Sequence, residues 1–122
     1  PSGVMAAACA GAKQVAGSLT LGILPGTSEG AGPDVDVAVF TGMADARNAI
    51  NVLSSDIIVA CGVEGPGTTS EVALAIKAGK PVILLGASSA ARAFFRSVGE
   101  WLPAADPEEA VRLIEQKLED TQ

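Results

Sequence analysis

Residues 56–71, DIIVACGVEGPGTTSE, decide the fold. Asp56 to Cys61 (DIIVAC) read as a short continuous apolar run, the pattern of a strand covered on both faces. Glycines at 62, 65 and 67, with Pro66, then turn the chain. A helix over 68–78 follows, closed by Gly79. Residues 81–85, PVILL, supply a second buried strand. Strand, glycine-rich turn, helix and strand make one βαβ unit, which fixes the two strands as parallel neighbours with a right-handed crossover.

The rest of the chain continues this alternation. Downstream, the pattern predicts a helix over 89–98 with an N-cap at Ser88-Ser89, then a short strand at Trp101-Leu102. A final helix opens with Asp106 as N-cap and Pro107 at N1, with Val111, Ile114 and Leu118 as its apolar stripe. Upstream, a helix over 43–54 places Met43, Ala46, Ile50 and Leu53 on its inner face. Residues 35–40, VDVAVF, read as a short strand near a sheet edge. Residues 18–24, SLTLGIL, read as another, stopped by Pro25-Gly26. A helical stretch over 4–16 follows Pro1-Ser2-Gly3 with no strand before it, which predicts missing upstream residues. The expectation is one α/β domain over 1–122: a Rossmann-like parallel sheet flanked by helices and N-terminally incomplete.

Composition narrows the function. The chain is 48% hydrophobic and 18% charged, which supports a packed core rather than disorder. Its four aromatics, Phe40, Phe94, Phe95 and Trp101, leave the core to Ala, Val, Ile and Leu. A net charge of −6 argues against nucleic acid and against an anionic membrane surface as partners. The absence of histidine rules out a Ser-His-Asp triad, a Cys-His pair and a His-ligated metal. Cys9 and Cys61 form no CxxC pair, and both sit in apolar stretches. They read as buried free thiols of a reducing, cytoplasmic setting. No stretch reads as a signal peptide or a membrane span.

The chemistry centres on the turn after Cys61. In open α/β sheets, ligands collect at the carboxyl ends of strands. The first amides of a helix lack internal partners, and glycines let an anion approach them closely. Gly65, Gly67, Thr68 and Thr69 are therefore placed around a phosphate. The stretch lacks the lysine of a P-loop and the order of a GxGxxG fingerprint. A plain glycine turn is the competing reading. Glu71 has two readings as well. It closes a Thr68-x-x-Glu71 capping box, or it faces the ligand as a general acid or base. Arg47, sharing a helix face with Asn51, is either a solvated cation near Asp45 or a guanidinium clamping a phosphate. The helix start at Gly3 and the Pro25-Gly26 turn are further walls of such a site. Glu29 and Glu64 oppose it by charge.

Several of these motifs, taken in order, resemble a known family. Gly3-Val-Met, Gly22-Ile-Leu-Pro-Gly26, Ala46-Arg47 and Gly65-Pro-Gly-Thr-Thr-Ser-Glu71 are similar to the LOG-like (SLOG) superfamily, formerly labelled "lysine decarboxylase-like". Residues 41–51 and 71–86 most resemble its molybdenum cofactor carrier group. The resemblance implies a homodimer or tetramer that binds a phosphorylated small molecule. Molybdenum cofactor, a pterin with a terminal phosphate, or a nucleotide monophosphate is the implied ligand, with no protein-ligated metal. It also implies an alternative: a phosphoribohydrolase cleaving nucleoside 5′-monophosphates, with Arg47 and Glu71 as catalytic residues. A non-catalytic assembly paralogue is a third reading. The PGG of the enzymes is replaced here, since Glu64 precedes Gly65-Pro66-Gly67. The family's first strand, first helix and second strand have no counterpart before Pro1.

Overall fold

The computed structural model describes residues 3–120. The chain divides into two compact units, one ending at Ile50 and the other beginning at Asn51. Both are built on parallel strands, so the α/β Rossmann-like class expected from the alternation is the one found.

In the first unit, helix α1 (Gly3–Ala12) precedes strands β1 (Leu21–Leu24) and β2 (Val37–Phe40). The two strands pair in parallel with Leu21 opposite Val37 and Leu24 opposite Phe40. Ile23 and Leu24 are buried, whereas β2 is largely exposed, as an edge strand would be. The start of the pair is tied by Thr20, which is 7% exposed. Its hydroxyl donates to the Asp34 carbonyl, and the Asp36 amide donates back to that hydroxyl at 2.9 Å.

Asp36 also accepts from the Lys13 ammonium at 2.8 Å and from the Thr20 amide at 2.9 Å. The Lys13 hydrogen bond, then the Thr20 amide, hold the Asp36 carboxyl below its usual range, while partial desolvation works against them. The ionised form is thus favoured by folding. Its contribution is fully present above the ordinary aspartate range near about pH 4 and fades as the pH falls through the lowered folded value. Denaturation midpoints measured from neutral pH into that acid range should therefore fall less steeply for Asp36→Asn than for the native chain. Superimposable slopes would remove this pair from the acid response.

A 3₁₀ turn (Ala44–Ala46) leads into helix α2 (Arg47–Leu53). Residues 43–54 are therefore not one α-helix in a single phase. Ala44 takes a left-handed φ of 49°, and α-helical winding begins only at Arg47. Of the face expected to be inward, Ile50 is half-buried, but Ala46 is exposed, and Met43 is 50% and Leu53 63% exposed. Asn48 and Val52, one turn apart, are the buried positions of α2.

The second unit contains β3 (Ile58–Cys61), α3 (Pro66–Lys77), β4 (Val82–Leu85), α4 (Ser89–Val98), β5 (Leu102–Ala104) and α5 (Pro107–Asp120). Its sheet has the order β3-β4-β5, with Ile58 opposite Val82 and Ile83 opposite Leu102. On one side of the sheet, Val52, Ala60, Val63, Val72, Ala75, Val82, Leu84 and Phe95 form the main core. Another cluster joins Ile83, Ala104 and Ala110, with Leu113 and Ile114 packed on it.

Helix ends follow their local chemistry. Gly79 has φ 73°; its amide bonds Ile76 and the Lys80 amide bonds Ala75, a Schellman closure. Ser88 caps α4 by accepting from the Ala91 amide at 3.2 Å, and Asp106 caps α5 by accepting from the Glu109 amide at 2.8 Å. On α5 the inward stripe is Ala110, Leu113 and Ile114, while Val111 and Leu118 face outward. Cys9 and Cys61 are free thiols, half-buried rather than buried. No helix among the described residues is long and apolar enough to cross a membrane.

Candidate functional site

The stretch Gly62–Gly67 carries the chain from the carboxyl end of β3 to the amino end of α3. Gly62 has φ 72°, and its amide donates to the Leu85 carbonyl at 2.9 Å, which ties the strand end to β4. Val63 is buried in the core, while Glu64 is exposed. Gly65 is the N-cap of α3, with Pro66 in the first turn. The helix therefore begins before Thr68, and Thr68 is not its cap. That displaces the capping box: Glu71 does not reach back to a cap amide.

Instead, the Glu71 carboxylate accepts from the Asn51 side-chain amide at a long 3.4 Å. Thr69 is the residue that pins the turn. Its amide bonds the Gly65 carbonyl at 3.1 Å, and its hydroxyl donates to the same oxygen at 2.8 Å. The amides of Gly67 and Thr68, by contrast, have no acceptor among the described residues. This is the usual state of a helix's first turn, with the positive end of the dipole behind it.

Gly65 has φ −117° and ψ 165°, ordinary extended backbone that any residue adopts. A Cβ added at Gly65 or at Gly67 would meet nothing within 4 Å. Gly65 suits its N-cap position, where glycine is favoured over alanine, whereas neither backbone conformation nor internal packing requires glycine at Gly67.

In the first unit, the carboxyl end of β1 gathers Pro25, Gly26 and Arg47. The Ala44 amide bonds the Pro25 carbonyl at 3.1 Å, and the Gly42 amide bonds the Gly26 carbonyl at 2.9 Å. Half-buried Arg47 donates through Nη1 to the Ile23 carbonyl at 2.7 Å, so part of its fork is committed to the backbone. Gly3 opens α1 with φ 58°, but no hydrogen bond joins it to this group. Its neighbour Ser2 lies outside the described residues. Asn51 is the polar partner that sequence reasoning placed near Arg47 without assigning it to Glu71. Its spacing along the helix was visible; its partner on α3 was not. No group of three or more His, Cys, Asp or Glu side chains among the described residues could hold a metal ion.

Similarity to known proteins agrees with this architecture. The sequence matches the SLOG cluster4 family over residues 1–111. A molybdenum cofactor binding protein from the phototrophic bacterium Rippkaea orientalis is 44% identical, with a TM-score of 0.84 over 91% of this chain and 69% of that one. The Moco carrier protein of Chlamydomonas reinhardtii is 45% identical, with a TM-score of 0.85 over 97% of this chain and 72% of that one. An uncharacterized protein of Archaeoglobus fulgidus is 43% identical over 83 residues, 68% of this chain and 54% of its own length. The chain thus spans about half the length of that curated relative. Its sequence and its parallel α/β architecture together make this chain a member of the SLOG cluster4 family.

Proposed function

We propose that this chain binds a small phosphate-bearing molecule at the amino end of α3, and that a pterin of the molybdenum cofactor type is its cargo. The observation that carries this reading is Gly67, which lies inside the first turn of α3. Glycine in a helix costs about 0.5–1 kcal/mol relative to alanine. At Gly67 the fold gains nothing from it, because the space a Cβ would fill is open and the φ is not left-handed.

An anion approaching the free amides of Gly67 and Thr68 would use that space. The chemistry of the donors fits a terminal phosphate, with Thr68 half-buried beside them. The proteins of Rippkaea orientalis and Chlamydomonas reinhardtii, named for molybdenum cofactor binding and carriage, give the cargo its class. The cofactor would bring its own metal and redox chemistry, and this chain's part would be to bind and shield it.

Gly67→Ala tests the reading, because it should separate stability from binding. The variant should be as stable as the native chain, or more so by up to about 1 kcal/mol. Its affinity for molybdenum cofactor, measured by equilibrium binding, should fall by about tenfold or more. Undiminished affinity in Gly67→Ala would show that the ligand sits elsewhere. The same preparation incubated with AMP distinguishes the phosphoribohydrolase reading. Adenine release abolished by Glu71→Gln would replace carriage with hydrolysis as the chain's activity.

A further inference from the structure

We infer that a second anion site lies at the opposite end of the second unit's sheet, where the amino ends of β4 and β5 open into a cavity of about 780 Å³. The cavity is lined by Lys80, Arg96 and Lys117 together with Glu100, Gly99 and Trp101. Three of the chain's eight basic residues thus converge on one opening, against one carboxylate, in a protein whose net charge is −6.

The three cations come from separate elements. Lys80 follows the Schellman closure of α3, and its own amide is held by the Ala75 carbonyl at 3.0 Å. Arg96 lies in the last turn of α4 and sits over the Trp101 ring, 5.8 Å from its centroid. Lys117 lies in the last turn of α5. Cations at helix carboxyl ends also offset the macrodipole, but that role requires no shared cavity.

Lys13–Asp36 is the salt bridge formed among the described residues, so none of these three cations is neutralised by a carboxylate in direct contact. Lys80, Lys117 and Trp101 are half-buried while Arg96 and Glu100 are exposed, so the two lysines are less screened than cations on an open surface. The volume is that of a small-molecule cleft. Its chemistry selects a small multivalent anion, a polyphosphate or a polycarboxylate. Such a ligand pairs several cations at once, and the Arg96 fork suits bidentate contact with either group.

Trp101 is the chain's single tryptophan, so its emission reports this cavity. Titration of the full chain with pyrophosphate, and in parallel with citrate, at ionic strength held constant with NaCl, should give a saturable change in that emission. Lys80→Gln/Lys117→Gln should weaken the apparent Kd by about tenfold or more. The charge-matched Lys77→Gln/Arg112→Gln, outside the cavity, should leave it unchanged. Saturation by pyrophosphate alone assigns a polyphosphate, and by citrate alone a polycarboxylate. Either supports the site. No saturation with either probe, a response that NaCl reproduces, or full affinity in the cavity double variant overturns it. If that double variant does not fold, Lys117→Gln alone gives the same reading, with a smaller loss expected.

Discussion

Replacing Phe95 by alanine should cost about 3–5 kcal/mol of stability, the range for removing a fully buried aromatic side chain. Phe95 is 1% exposed and is the largest of the fully buried side chains. Its neighbours in the core are Val52, Ala60, Val63, Val72, Ala75, Val82 and Leu84. They are short and mostly β-branched or methyl side chains, with little freedom to collapse into the space a ring leaves.

The adjacent Phe94 supplies the control. The two rings meet edge to face, with centroids 5.1 Å apart, but Phe94 is 56% exposed. Phe94→Ala should lose only that edge contact, about 0.5–1.5 kcal/mol, plus a modest area term. Urea denaturation followed by Trp101 emission measures both variants. Equal losses would mean that α4 does not present Phe95 to the core.

The second large effect is expected at Arg47. Arg47→Met should lower stability by about 1.5–3 kcal/mol, the range for a hydrogen bond made by a charged group. The guanidinium donates at 2.7 Å to the carbonyl of Ile23, a residue 8% exposed in the interior of β1. Methionine keeps the length of the side chain and the apolar contacts of its stem, but offers that carbonyl no proton. The loss should appear in urea midpoints without any ligand present. An Arg47→Met chain as stable as the native one would show that the bond to Ile23 is dispensable, leaving the whole fork free for an anion.

Much of the architecture was legible because apolar runs and glycines mark it directly. Residues 56–61 and 81–85 could be little else than strands, although of β3 only Ala60 is buried and Val59 is 37% exposed, while β4 is buried from Val82 to Leu84. Asp106-Pro107 announced a helix start that the structure shows. Helix phase was less readable. Over residues 43–54 the left-handed Ala44 and the 3₁₀ turn shift the winding, so Val52 and Asn48 point inward instead of Leu53 and Met43. No pattern in that segment marks the shift, since alanine takes a left-handed φ only under the constraint of its surroundings.

The start of α3 was legible and misread. Glycine followed by proline is a common N-cap and N1 pair, yet the Thr68-x-x-Glu71 spacing drew the start two residues too far along. The partnership of Asn51 with Glu71, and the meeting of Lys80, Arg96 and Lys117, depend on how distant segments pack. Local spacing does not encode either.

Every strand pairing described here is parallel, and none is made by a hairpin: Leu21 meets Val37, Ile58 meets Val82, and Ile83 meets Leu102. Each ladder must therefore wait until a long intervening segment has been drawn closed, so little of the sheet can form early from local contacts. The chain should emerge from denaturant slowly for its size, with unpaired strands such as β4 exposed on the way. Yields on refolding should consequently drop as protein concentration rises, well before the native state itself loses solubility.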